Sequence, residues 1–171
     1  IYSVTLWQES CELTGKLLTD QLGFHAVREQ ASIFRYAAGP GDDETQSRSI
    51  VDLRCVPGLW PGVMGAGTVH HVAFRAPDDA AQAEMRTELV ALGYNVTPVI
   101  DRDYFHSVYF REPGGVLFEI ATDPPGFTVD EPVDSLGQSL KLPAWLEPRR
   151  FEIEAPLPNI RLPMMLRGPN A

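Results

Sequence analysis

His71 and Glu119 are the two side chains whose type and setting point to chemistry. The run Thr68 to Arg75 reads as a strand, and successive side chains of a strand alternate between its faces. His71 therefore shares a face with Ala73 and Arg75, while His70 shares the other with Val72 and Phe74, the residues suited to pack on a helix. The same alternation over Val116 to Ala121 turns Val116, Phe118 and Ile120 toward the helix and leaves Glu119 beside Leu117 on the opposite, concave face. A carboxylate inside an otherwise apolar strand needs a partner, because burying it uncompensated is costly, whereas a metal ion neutralises it and uses its lone pairs. His71 is the nearest candidate co-ligand by alternation. One histidine and one carboxylate stop short of the two-histidine, one-carboxylate triad that suits non-haem Fe(II), so a third ligand must come from elsewhere.

Around these residues the chain repeats itself. Ser3-Val4-Thr5-Leu6 and His71-Val72-Ala73-Phe74 each lead into an acidic helical stretch, ending in Leu22-Gly23-Phe24 and Leu92-Gly93-Tyr94 respectively. The first helix is expected over Cys11 to Leu22, with Leu13, Leu17 and Leu18 at helical spacing and Gly23 as its stop. The second is expected from Asp79 to Leu92, capped by Asp78 or Asp79, with Met85, Leu89 and Leu92 as the buried stripe. Strands follow at Asn95 to Ile100, Phe105 to Arg111 and Val116 to Ala121, the last two joined by the turn Glu112-Pro113-Gly114-Gly115. In the first copy Phe34 to Ala37 and Ser49 to Arg54 read as strands around a long polar loop from Gly39 to Ser47. By position in the repeat, Ser3 stands where His71 does and Asp52 where Glu119 does, which makes the first copy a degenerate unit serving as structure. The fold class expected is α+β: two tandem βαβββ modules over residues 1–66 and 67–125, then an extended proline-rich tail over 126–171.

Composition narrows the function classes. A formal charge of −9 with only 14 scattered Lys and Arg argues against nucleic acid and for a small-molecule partner. No apolar run approaches the roughly 20 residues needed to cross a bilayer, and the expectation is a soluble, cytoplasmic protein. Cys11 and Cys55 are too few for a disulfide framework and read as core thiols. His25 is expected in an exposed turn, His106 in packing or solvent contact, and Trp60 and Trp145 as anchors of the linker and the tail.

Several segments together carry a family resemblance: Gly67-Thr68-Val69-His70-His71-Val72-Ala73-Phe74; Asp101-Arg102-Asp103-Tyr104-Phe105; Tyr109-Phe110-Arg111-Glu112-Pro113-Gly114-Gly115; and Leu117-Phe118-Glu119-Ile120-Ala121-Thr122. They resemble the hydroquinone-opening, ring-cleaving dioxygenases of the vicinal oxygen chelate superfamily. The tail, through Pro125-Gly126-Phe127 and Trp145-Leu146-Glu147-Pro148-Arg149, is similar to that family's C-terminal extension. The resemblance implies Fe(II), with Mn, Zn or Ni as other fillings, a small aromatic substrate and O2. It assigns His71 and Glu119 as metal ligands and places Tyr109, Arg102 and His70 beside the bound ring. Alternation agrees for Tyr109, which shares the concave face with Phe105 and Ser107, and disagrees for His70. The family holds its metal with one further histidine from a first half to which nothing here corresponds. That ligand is expected upstream of Ile1 or from a second chain in a homo-oligomer. Rival readings are a glyoxalase-type isomerase or thiol transferase with another metal, and a cup that sequesters a small aromatic without catalysis.

Overall fold

The alternation of apolar residues along Ser3–Gln8, β1, and Ser49–Cys55, β4, lets the two strands pair in parallel at the centre of one half of the protein. This architecture comes from a computed structural model that describes residues 2–39 and 49–158. Between the two strands lie α1 (Glu12–Asp20), β2 (Phe24–Gln30) and β3 (Ile33–Ala38). The resulting four-stranded mixed sheet has the order β1-β4-β3-β2. A second sheet, in the order β5-β8-β7-β6, is built from β5 (Val72–Ala76), β6 (Ile100–Asp101), β7 (Phe105–Arg111) and β8 (Leu117–Pro125), with α2 (Asp79–Ala91) after β5. Each sheet thus pairs its first strand with its last. The registers also match: Thr5 stands opposite Asp52 in the parallel pair β1–β4, and Ala73 opposite Glu119 in β5–β8.

The chain forms two compact units, Ile1–Pro124 and Pro125–Ala171. In the first, the sheets share one core whose fully buried members include Leu18, Leu53, Leu89, Val108, Phe110, Phe118 and Ile120. Phe74 links the sheets, with its ring 5.7 Å from Phe24 and 4.8 Å from Phe118. In the second unit the expected extended tail instead contains short helical turns at Phe127–Val129, Val133–Ser135 and Glu147–Arg149, followed by α3 (Arg150–Glu154). Proline at the start of a turn pre-sets the helical φ, and Glu147-Pro148-Arg149 uses it so.

Both long helices differ in detail from expectation. In α1, Leu17 and Leu18 are buried but Leu13 is 61% exposed, and Thr14 and Gly15 take the inward positions. Gly15 is required there: a Cβ would come within 2.3 Å of the Tyr36 hydroxyl oxygen. In α2 the Asp78 side chain caps the N-terminus, accepting from Ala81 N at 2.8 Å, and Gly93 ends the helix with φ +90°. Leu89 is buried as expected, but Leu92 is 58% exposed. Gln82 goes inward instead, its amide donating to the carbonyls of His106 and Ile120 at 2.8 Å each and satisfying its polar burial.

Other expectations are corrected. Cys11 and Cys55 form a disulfide rather than two thiols, because Cys55 ends β4 directly opposite Gln8 at the end of β1, which brings the two Cα atoms within 5.7 Å. His25 lies in β2 opposite Ala37, not in a turn. The strand expected over Thr68 to Arg75 begins only at Val72, and of Asn95 to Ile100 only Ile100 enters a strand. Trp60 and Trp145 are 89% and 76% exposed, so neither ring is an anchor packed into a core. The polar loop from Gly39 to Ser47 lies almost wholly outside the described residues.

Candidate metal centre

Glu119 is held by its neighbours on three sides. It projects from β8 into the concave face of the second sheet and is 3% exposed. Tyr109, two residues beyond Ser107 on β7, donates its hydroxyl to Oε1 of Glu119 at 2.8 Å, and the Ser107 hydroxyl donates to the same oxygen. His71 Nε2 lies 2.7 Å from the other oxygen, Oε2. Alternation within the adjacent strands β7 and β8 gathers Ser107, Tyr109 and Glu119 on one face, and His71 reaches them from the residue just before β5.

Arg102 and His70 join from outside the strands. Arg102 follows β6, and its guanidinium sits 5.6 Å from the Tyr109 ring centre with Nη2 3.5 Å from the Tyr109 hydroxyl. His70 Nδ1 lies 2.8 Å from His71 Nδ1. Strand alternation had put His70 on the far face, but β5 starts at Val72, so residues 70 and 71 are free of the pleat and can share a side. A contact between two Nδ1 atoms needs a proton on one of them, so the tautomer of either ring fixes that of the other. The His71 ring also meets Tyr109 edge-on at 5.8 Å.

The donor chemistry suits a divalent transition metal: imidazole nitrogen and carboxylate oxygen are ligands for iron, manganese, zinc or nickel. The 2.7 Å between His71 Nε2 and Glu119 Oε2 is close to the ~3 Å separating adjacent ligands with bonds of about 2.1 Å. Among the described residues no group of three His, Cys, Asp or Glu gathers, so the cup supplies two such donors. At the corresponding place in the first sheet the carboxylate meets a different cation. Asp52 is 6% exposed and accepts from Arg35 Nε at 2.8 Å and Nη2 at 2.9 Å.

Ser107 was named in the sequence only as a neighbour of Tyr109. Its signal was its place two residues from a candidate residue on the same face, with a hydroxyl among apolar side chains. His106 shows a further polar contact, Nδ1 lying 2.6 Å from Asp79 Oδ1 at the start of α2. That hydrogen bond raises its pKa above the ordinary histidine value. A cleft of about 400 Å³ lies on the first sheet beside Phe34, Tyr36 and the Cys11–Cys55 disulfide, and none of the metal-centre residues lines it.

The architecture is α+β with two four-stranded mixed sheets, the second bringing the carboxylate of Glu119 against His71, which directly precedes β5. The chain belongs to the Glyoxalase/Bleomycin resistance protein/Dioxygenase superfamily, whose family pattern matches residues 4–120. It is 45% identical over 150 residues to the Bacillus subtilis (strain 168) protein named "Putative ring-cleaving dioxygenase MhqO", covering 88% of this chain and 46% of that protein. It is 39% identical over 120 residues to the chlorohydroquinone/hydroquinone 1,2-dioxygenase of Sphingobium indicum, covering 70% of this chain and 36% of that protein. A solved Bacillus subtilis structure, described as a putative dioxygenase, matches with a TM-score of 0.78 at 43% identity, over 92% of this chain and 49% of that one. The chain spans about half the length of the curated relatives it matches most fully. A lactoylglutathione lyase from Agrobacterium tumefaciens matches with a TM-score of 0.54 at 20% identity, a likeness of fold. Among the described residues no helix is long and apolar enough to cross a membrane.

Proposed function

We propose that this chain is the C-terminal half of an Fe(II)-dependent ring-cleaving dioxygenase acting on hydroquinone-type aromatics with O2. The observation that carries the reading is the meeting of His71 Nε2 and Glu119 Oε2 at 2.7 Å, in a cup that also holds Tyr109, Arg102 and His70. The relatives' names support the reaction class, since a ring-cleaving dioxygenase and a hydroquinone dioxygenase both align across this segment. In this reading the chain is two tandem βαβββ modules followed by a tail. The matching strand order and register of the two sheets support the repeat.

His71 and Glu119 are the proposed metal ligands. A divalent iron held there would supply the electron transfer that brings an aromatic diol and O2 to reaction. The chain's own side chains do the rest. In the metal-binding tautomer His71 Nδ1 carries the proton and donates to His70 Nδ1, which leaves Nε2 free to face the cup. The Tyr109 hydroxyl holds a proton at the mouth of the cup, and the Arg102 guanidinium beside it offers positive charge to a phenolate oxygen. Together they orient a ring by its oxygens, converting an encounter into a positioned one.

The first module is structural in this account, because its carboxylate is already neutralised by Arg35. The third protein ligand comes from outside the residues described, either from an N-terminal half of the kind the longer relatives have room for or from a second chain. A cytoplasmic protein with no nucleic-acid or membrane partner fits the charge and the small-molecule cup. The test is metal analysis together with O2 uptake on substituted hydroquinones. Consumption of O2 by the Fe(II)-loaded protein, lost in His71→Ala and Glu119→Ala together with the iron, is expected. Stoichiometric iron retained in either variant would sink the assignment. Isomerase activity on a thiol adduct with no O2 uptake would move the chain to the glyoxalase-type branch.

A further inference from the structure

We propose that Ser107 is a positioning residue that fixes which oxygen of Glu119 is offered to the metal. The inference rests on the proposed role of Glu119 as a ligand.

Both hydroxyl donors to Glu119 meet the same atom. Ser107 and Tyr109 donate to Oε1, while Oε2 faces His71 Nε2 at 2.7 Å. A carboxylate free to rotate about its last bond could present either oxygen, or both. With Oε1 saturated by two hydrogen bonds, Oε2 alone is left, and Glu119 is committed to binding through one oxygen.

The two donors are not equivalent. Ser107 is 0% exposed on β7, and its hydroxyl donates to Glu119 away from solvent. Tyr109 is only partly buried, and its hydroxyl lies 3.5 Å from Arg102 Nη2 on the open side of the cup. Tyr109 can therefore leave Oε1 to meet a ring oxygen, provided something else keeps Oε1 satisfied. Ser107 does that: it holds the carboxylate so that Tyr109 is released for substrate.

The experiment is Mn(II) titration of the assembled protein, with the source of the third ligand present, followed by loss of the free-ion electron paramagnetic resonance signal. Wild type, Ser107→Ala, Tyr109→Phe, Glu119→Ala and the core variant Val108→Ala are compared, with the melting temperature of each recorded. Ser107→Ala should weaken Mn(II) binding about tenfold or more, the range typical of groups that orient a metal ligand. Tyr109→Phe should weaken it less than Ser107→Ala does, because Ser107 still occupies Oε1. Val108→Ala should lose stability and keep its affinity. Ser107→Ala binding as wild type does, or Val108→Ala losing as much affinity as Ser107→Ala, overturns the proposal while the metal site stands. Glu119→Ala binding Mn(II) as wild type does overturns the metal reading and this proposal with it.

Discussion

Arg35 grips Asp52 through two hydrogen bonds of 2.8 and 2.9 Å, at the place in the first sheet that Glu119 occupies in the second. The same problem, a carboxylate on the concave face of a parallel strand pair, thus has two solutions in one chain. One is a built-in guanidinium; the other is a histidine, His71, with Nε2 2.7 Å from Glu119 Oε2. Arginine's planar fork matches a carboxylate with two bonds and is always charged, so it neutralises Asp52 without a metal ion.

Asp52→Ala should therefore destabilise the protein without touching metal binding. The side chains are 14% and 8% exposed, and removing one partner of a mostly buried pair costs roughly 3 kcal/mol. Urea unfolding should show a loss of that order, and the paired replacement Arg35→Met with Asp52→Leu should recover most of it. A drop in Mn(II) stoichiometry in Asp52→Ala would show that the first cup holds metal after all.

The meeting of Glu119 with Tyr109 was legible because period-two alternation acts residue by residue within a strand, whereas His71 reaches Glu119 from just before β5, where alternation no longer applies. Thr5 faces Asp52 as Ala73 faces Glu119, so the two carboxylates hold matching registers in their parallel strand pairs. What could not be read depends on which distant segments meet. Cys11 and Cys55 look like isolated thiols until β1 and β4 are known to be neighbours. Gln82 and Glu112 are polar residues that propensity would leave on the surface, yet they are 1% and 2% exposed, each satisfied by partners that only the tertiary fold supplies. His70 was misplaced because a strand's alternation was extended past its first paired residue.

His106 should titrate above the ordinary histidine range, because its hydrogen bond to Asp79 favours the charged ring. The folded pKa is raised over the unfolded value of about 6.5, so the pair's contribution is fully present below that value. It fades as pH rises through the folded pKa. The ring resonances of His106 followed by NMR across pH 5 to 9 should give an elevated midpoint that falls back toward the ordinary value in Asp79→Asn. An unchanged midpoint in that variant would assign the shift to another cause.

The Cys11–Cys55 bond closes a loop of sequence separation 44. In the chain-entropy treatment such a crosslink restricts the unfolded chain by about 4 kcal/mol at room temperature. Urea midpoints with and without a reductant should differ accordingly, and the double variant Cys11→Ala, Cys55→Ala should be insensitive to reductant. Equal midpoints in the native chain would mean that the pair is not bonded in solution.

Glu112 joins the two sheets at the turn after β7. Its carboxylate accepts from Gln8 Nε2 at 2.9 Å, Thr14 Oγ1 at 2.5 Å, Gly114 N at 2.8 Å and Val116 N at 2.7 Å, so β1 and α1 are tied to the turn that precedes β8. Gly114 is part of the fit: a Cβ there would come within 2.4 Å of Gln8 Nε2. Gln8 is 1% exposed and bound to Glu112, so it has nowhere to retreat. Gly114→Ala alone should cost roughly 1–3 kcal/mol through overpacking, and Gln8→Ala alone about 1–2 kcal/mol through the lost hydrogen bond and packing. The double variant should lose less than the sum, because truncating Gln8 clears the space the new methyl needs. Urea denaturation of the four proteins measures the coupling directly, and strict additivity would show that Gln8 and Gly114 do not share that contact.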